Sequence, residues 1–189
     1  ITVWNNRHQT IGQGIQTTTA MNSCRALGTP GKPAQYYLFS LQRAPQQQGY
    51  YFYWSQLDLT ANHGKGKLLT KNQLIPSPRL FAGITTILHA NGRDSWVVVQ
   101  DTINTFYSYL FTKNGLQPHP VKSTVGNPPP RRKSSVNHYL GSLKSSPNGR
   151  KITKIYRSEQ LELFDFNPGS GKVSNPRVLQ GHSGARFQY

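Results

Sequence analysis

Residues 82–100 read AGITTILHANGRDSWVVVQ, and residues 138–156 read HYLGSLKSSPNGRKITKIY. In both, a segment with small residues leads into Asn-Gly-Arg and an apolar run leads out. Asn-Gly readily takes the positive backbone angles of a hairpin turn, so each stretch predicts two antiparallel strands joined tightly. A third turn, Thr29-Pro30-Gly31-Lys32, lies between residues 19–27 and 35–41 and reads the same way.

Working outward, each hairpin is followed by an aromatic, alternating segment at 50–60, 104–112 or 160–167. Each of these ends in a polar turn, TANHGKG, KNGLQ or NPGSG, and a fourth segment closes the unit at 67–75, 120–125 or 172–179. The turn glycines Gly31, Gly92 and Gly149 recur at intervals of about 60 residues, the length of a four-stranded propeller blade with generous loops. The expectation is therefore all-β: a β-propeller fragment of about three four-stranded antiparallel blades, with partial blades at both ends. Residues 1–189 form one such segment on this reading. Residues 1–18 are the outer strand of a preceding blade and a linker; 19–76, 79–126 and 137–180 are blades; 127–136 is a Pro-rich, basic interblade loop; and 181–189 start the next blade. The chain then reads as an excised segment whose remaining blades are natural partners. A twelve-stranded sandwich is the structural alternative, although it would not require the turn chemistry to repeat.

Length suits one domain with a real core. Lys and Arg number 22 against 6 Asp and Glu, giving a net charge of +16, which attracts polyanions such as nucleic acid or acidic glycans. The cations are scattered through turns, the pattern of a general basic surface. With Cys24 as the one cysteine there is no disulfide framework and no thiolate metal site. No apolar run reaches the ~20 residues that a membrane-spanning helix needs.

The blade model assigns loops to ends of the sheets. Arg43, Arg131, Arg132, Lys133 and Arg157 fall at the end that carries the second-to-third-strand and interblade loops. Lys32, Lys65, Arg93, Lys113 and Arg150 fall at the hairpin end. Within the first group, Pro128, Pro129 and Pro130 stiffen the loop that presents Arg131, Arg132 and Lys133, making those five residues the candidate anion-binding set. Catalytic and metal residues are assigned nowhere. Asp58 and Asp165 occupy equivalent positions near the ends of third strands and read as turn caps. The histidines lack close metal-ligand spacing, and Cys24 reads as a buried, inert thiol. Half of the aromatics, on strand alternation, point between blades and fill the core.

The stretches ITVWNNRHQ, YYLFSL, HANGRDSWVVVQ, NTFYSYLFTKNGL, LGSLKSSPNGRKI and LELFDFNPGSGKVSNPRVL together resemble the N-terminal propeller-like region of Bacteroidetes surface proteins associated with gliding motility or type IX secretion. That resemblance covers nearly the whole chain and implies an extracellular or cell-surface location, with an unidentified surface protein or glycan as partner. It supplies no catalytic motif and no cofactor, and the NPPPRRK loop at 127–133 departs from it. The functional expectation is a non-catalytic adhesion, scaffold or binding segment. The alternatives are a polyanion-binding module working through its basic loops and a propeller-type polysaccharide hydrolase or lyase.

Overall fold

A computed structural model describes residues 1–18, 23–44, 49–128, 141–156 and 160–179, and among these every regular element is a β-strand. The strands are β1 (Val3–Trp4), β2 (Thr10–Gly12), β3 (Cys24–Thr29), β4 (Lys32–Arg43), β5 (Tyr50–Asp58), β6 (Lys67–Leu80), β7 (Thr85–Leu88) and β8 (Ser95–Gln100). They continue as β9 (Thr105–Thr112), β10 (Gly115–Leu116), β11 (Val121–Thr124), β12 (Gly141–Ser145), β13 (Lys151–Tyr156), β14 (Gln160–Phe166) and β15 (Val173–Leu179).

Three antiparallel meanders result. The first sheet runs β3-β4-β5-β6 and the third β12-β13-β14-β15. In the second, β7-β8-β9 is closed by a fourth ribbon in two pieces, β10 and β11, both paired with β9. Every four-strand unit expected from the sequence is present. The fourth strand of the first sheet continues past residue 75 to Leu80.

Residues 1–12 depart from the single strand expected at their start. They fold into the β1–β2 hairpin, which lies beside β6: the missing side chain of Gly12 admits Leu68, and Asn5 Nδ2 donates to the carbonyl of Lys65 (3.1 Å). Farther along, Asn72 adopts a positive φ of 52° at a bulge in β6. There its Oδ1 accepts from the Gln16 amide and its Nδ2 donates to the Gly14 carbonyl, both at 2.9 Å.

Alternation decides how the sheets stack. On β8, Val97 and Val99 pack with Phe39, Leu41 and Phe52 of the first sheet, whereas Trp96 and Val98 pack with Ile152, Phe164 and Phe166 of the third. Strand β9 divides in the same way, with Tyr109 and Phe111 in one cluster and Phe106 in the other. The second sheet is therefore covered on both faces, and its strand SWVVVQ reads as a continuous apolar run for that reason. Edge-to-face rings mark both interfaces: Phe39 and Phe111 at 5.6 Å, Phe106 and Phe164 at 4.9 Å. Burial, with the neighbouring Tyr107 second, pushes the Tyr109 phenol up to about 12.

At one point the second and third sheets approach closely enough to demand glycine. Gly83 has φ of +122°, and a Cβ there would lie 2.8 Å from the Leu143 amide nitrogen. Just beyond it, the Ser145 amide donates to Thr85 Oγ1 (3.0 Å) and Ser145 Oγ donates to the Thr86 carbonyl (3.2 Å). The outer strands are joined as well, through the Val173 amide donating to Ser123 Oγ at 3.0 Å.

The fourth ribbons carry the chain's breakers. Pro76 and Pro78 lie in β6 and Pro176 in β15, directly after the positive-φ bulge residue Asn175. Pro118 and Pro120 fall in the gap between β10 and β11. Proline cannot donate to a further ladder, so edge strands tolerate it where central ones do not.

Candidate functional site

The hairpin ends of the second and third sheets frame a cleft of about 1190 Å³. Its first two walls are the Asn-Gly-Arg turns. Both are hairpins, but wider than a two-residue loop: the Gly92 amide donates to the His89 carbonyl and the Gly149 amide to that of Ser146, each at 2.9 Å. Glycine alone takes positive φ there, +71° at Gly92 and +68° at Gly149, while each asparagine works through its side chain. Asn91 Oδ1 accepts from the Arg93 and Asp94 amides, both at 3.0 Å, and Asn148 Oδ1 accepts from the Arg150 amide at 3.1 Å.

The third wall is the β14–β15 turn. Asn167 Oδ1 accepts from the Gly169 and Ser170 amides at 2.9 and 3.1 Å. The Pro168 carbonyl then accepts from Trp96 Nε1 (2.8 Å) and from the Ala90 amide (3.1 Å), fastening this turn to the second sheet.

Functional groups project from this frame. His89 Nδ1 accepts from the Asn91 amide at 3.0 Å, which places the ring hydrogen on Nε2, and the imidazole packs 5.5 Å from the Trp96 ring. Asp165 accepts from Lys151 and, at 2.9 Å, from Asn175 Nδ2. The Asn175 bond and then Lys151 hold its carboxyl below the usual carboxylate range. Arg150 is exposed on the cleft wall, and its guanidinium has no partner among the described residues. Leu88, 60% exposed, together with Pro147 and Phe166 supplies apolar surface. Asp165 is the one carboxylate among the described lining residues, since Asp94 is turned away to Asn91 Nδ2 (2.8 Å) and Arg93 (3.5 Å).

A second polar cluster is buried toward the opposite end of the same inter-sheet core. Lys154 and Glu162 are each 0% exposed, with Nζ and Oε2 2.6 Å apart. Glu162 Oε1 also accepts from the Asn127 amide (3.0 Å) and Asn127 Nδ2 (3.2 Å), while Lys154 Nζ donates to the Asn127 carbonyl (3.2 Å). Burial lowers the Lys154 pKa, and the bond and charge of Glu162 push it back up. When the Asn-Gly-Arg turns are superposed in register, this pair falls on the opposed pair Val97 and Tyr109 of the second sheet. Nearby in the sequence of β8, the fully buried Gln100 has a side-chain amide whose nitrogen and oxygen both lack a hydrogen-bond partner among the described residues.

Of the five candidate anion-binding residues, Arg131, Arg132, Lys133 and Arg157 lie outside the described residues. Arg43 ends β4, exposed and opposite Tyr50, at the end of the sheet away from the hairpins. The cleft is thus built at the other end, from turns that the sequence places but does not join. Asp58 is a turn cap as expected, accepting from the Thr60 amide (2.8 Å) and hydroxyl (2.6 Å). Asp165 is not: the structure makes it a cross-strand bridge. Cys24, the first residue of β3, is half-buried, and burial raises its thiol pKa, as suits an unreactive thiol. Lys154 and Glu162 were missed, although period-2 alternation puts Lys154 on the face of Ile152 and Glu162 on that of Phe164.

No family model matches the chain, and no curated protein matches it.

Proposed function

We propose that the chain is a non-catalytic binding scaffold, a β-propeller segment whose three meanders are blades, acting in adhesion or ligand presentation on a secreted or cell-surface protein. The observation that carries this reading is the second sheet, closed on both faces by apolar interfaces against equivalent four-stranded neighbours. Radial repetition of such a unit is how propellers are built. The resemblance of the HANGRDSWVV and LELFDF stretches to Bacteroidetes surface proteins supports the location. The hairpin cleft supports binding, because junctions between packed units are where concave ligand sites form. Its lining supports binding over hydrolysis: glycosidic cleavage uses two converging carboxylates, and here Asp165 stands alone among the described lining residues and is engaged by Lys151 and Asn175.

The test is to titrate the chain with a panel of cell-surface polysaccharides and surface proteins, recording both binding and release of new reducing ends. Saturable binding without turnover is the expected result. Turnover of any polysaccharide, or no binding across the panel, overturns the reading.

A further inference from the structure

The donors left in the hairpin cleft select among ligands. A phosphate site is normally a concavity of free backbone N–H groups. Here the turn amides are spent internally: those of Gly92 and Gly149 on carbonyls, and those of Arg93, Arg150 and Gly169 on asparagine side chains. Beside the mutually paired Lys151 and Asp165, the cleft lining includes the planar guanidinium of Arg150, the Nε2–H of His89 and the Asn148 amide nitrogen, these three without a partner among the described residues. Leu88 and Pro147 add apolar facets beside them. One fork for a carboxylate, single donors for hydroxyls and small apolar surfaces for C–H faces describe an acidic sugar. The volume of about 1190 Å³ is at or above that of a drug-sized site and admits a short oligosaccharide.

We infer that the cleft binds a uronate residue of an acidic glycan, with Arg150 forked on the sugar carboxylate and His89 and Asn148 donating to its hydroxyls. The inference rests on the reading of the chain as a binding module and names the ligand class of that module's cleft. Arginine suits this task because its guanidinium matches a carboxylate bidentately, which lysine cannot do.

The experiment titrates the chain with oligogalacturonate and with its methyl ester, the same polyol without charge. Methyl esterification is expected to weaken binding by roughly 10-fold or more, the range of a charge-assisted bidentate contact. Arg150→Gln should weaken acid binding by the same factor and leave ester binding unchanged, Arg150→Lys should restore only part, and Arg43→Gln should change nothing. Salt dependence should be shallow, with a slope near that of one ion pair. Equal binding of acid and ester, or indifference to Arg150→Gln, overturns the uronate site while leaving the module's binding to other ligands intact. A steep salt slope shared with DNA, and equally lost in Arg43→Gln, overturns it in favour of diffuse polyanion attraction. Absence of binding to both oligosaccharides also overturns it, and the wider panel then decides separately whether the chain is a binding module at all.

Discussion

Replacing Lys154 by methionine keeps most of the buried stem and removes the charge. Both members of its pair are 0% exposed, so the change leaves the Glu162 carboxylate in the core without its counter-ion, 2.6 Å from where the ammonium stood. Breaking a buried pair in this way costs about 3–5 kcal/mol. The two bonds that Glu162 accepts from Asn127 remain, which places the expectation at the lower end, about 3 kcal/mol. Glu162→Gln leaves the opposite orphan, a buried ammonium, while its amide oxygen still serves Asn127, and should cost a similar amount. The double variant Lys154→Met/Glu162→Gln removes both charges and keeps that acceptor. It should return to within about 1 kcal/mol of the parent, because neutral replacement of a buried pair is often free of cost. Urea unfolding followed by tryptophan fluorescence measures all three. With a slope of about 1–3 kcal/mol per molar, each single variant should lower the midpoint by about 1–3 M. A single variant that loses under about 1 kcal/mol, or a double variant that loses the sum of the singles, refutes the coupling.

The stacked arrangement predicts that Phe106→Ala and Phe164→Ala, which share an interface at 4.9 Å, each cost about 3–5 kcal/mol and couple by about 0.5–1.5 kcal/mol in a double-mutant cycle. Phe106→Ala combined with Phe111→Ala, on opposite faces of β9, should instead be additive to within about 0.5 kcal/mol. Gly83→Ala should cost about 2 kcal/mol or more in chemical unfolding, since the new methyl meets the Leu143 backbone at 2.8 Å and the backbone angle is one that alanine avoids. Gln100→Met, which removes a buried amide with no partner among the described residues, should be neutral or stabilising by up to about 1 kcal/mol, and a loss above about 2 kcal/mol would show that the amide is satisfied. Because the Asp165 pKa is depressed in the folded chain, its contribution is complete above the ordinary carboxylate range near pH ~4 and is lost as pH falls through the lower folded value. Asn175→Ala should therefore raise the Asp165 midpoint in a carboxyl NMR titration and bring the loss to higher pH; an unmoved midpoint would remove the Asn175 bond from the account.

Much of this fold is local in origin and so was legible. Three turns set by glycine at fixed intervals, each flanked by runs of strand length, place the strands of the three large sheets, though not the split of the second sheet's fourth ribbon into β10 and β11, because turn chemistry and pairing register lie within one segment. Strand alternation likewise tells which aromatics face a neighbour. What stayed hidden depends on pairs of segments far apart. The hairpin cleft needs residues 86–92, 145–151 and 165–174 brought together, and no local pattern states that Pro168 will clamp Trp96. The proline-stiffened cations drew attention as the densest charge in the sequence, yet density says nothing about concavity, and a lone Arg150 on a turn offers no such signal. Asp165 shows the same limit: its place near a strand end suits a cap, but the bulge at Asn175 supplies a cross-strand donor instead. Lys154 and Glu162 were legible in principle, since alternation puts both on apolar strand faces, but which neighbour would bury them depends on the packing of a separate sheet.

The interrupted fourth ribbons bear on how the molecule behaves in a crowd. Pro76 and Pro78 in β6, the break between β10 and β11, and the Asn175-Pro176 kink in β15 each take hydrogen-bond donors or straightness from the side where a stray strand would attach. These edge strands would otherwise offer three templates for fibril growth. Self-association is discouraged along these outer edges. In mechanical terms the molecule is laminated: cohesive through its thickness and deliberately frayed at its borders.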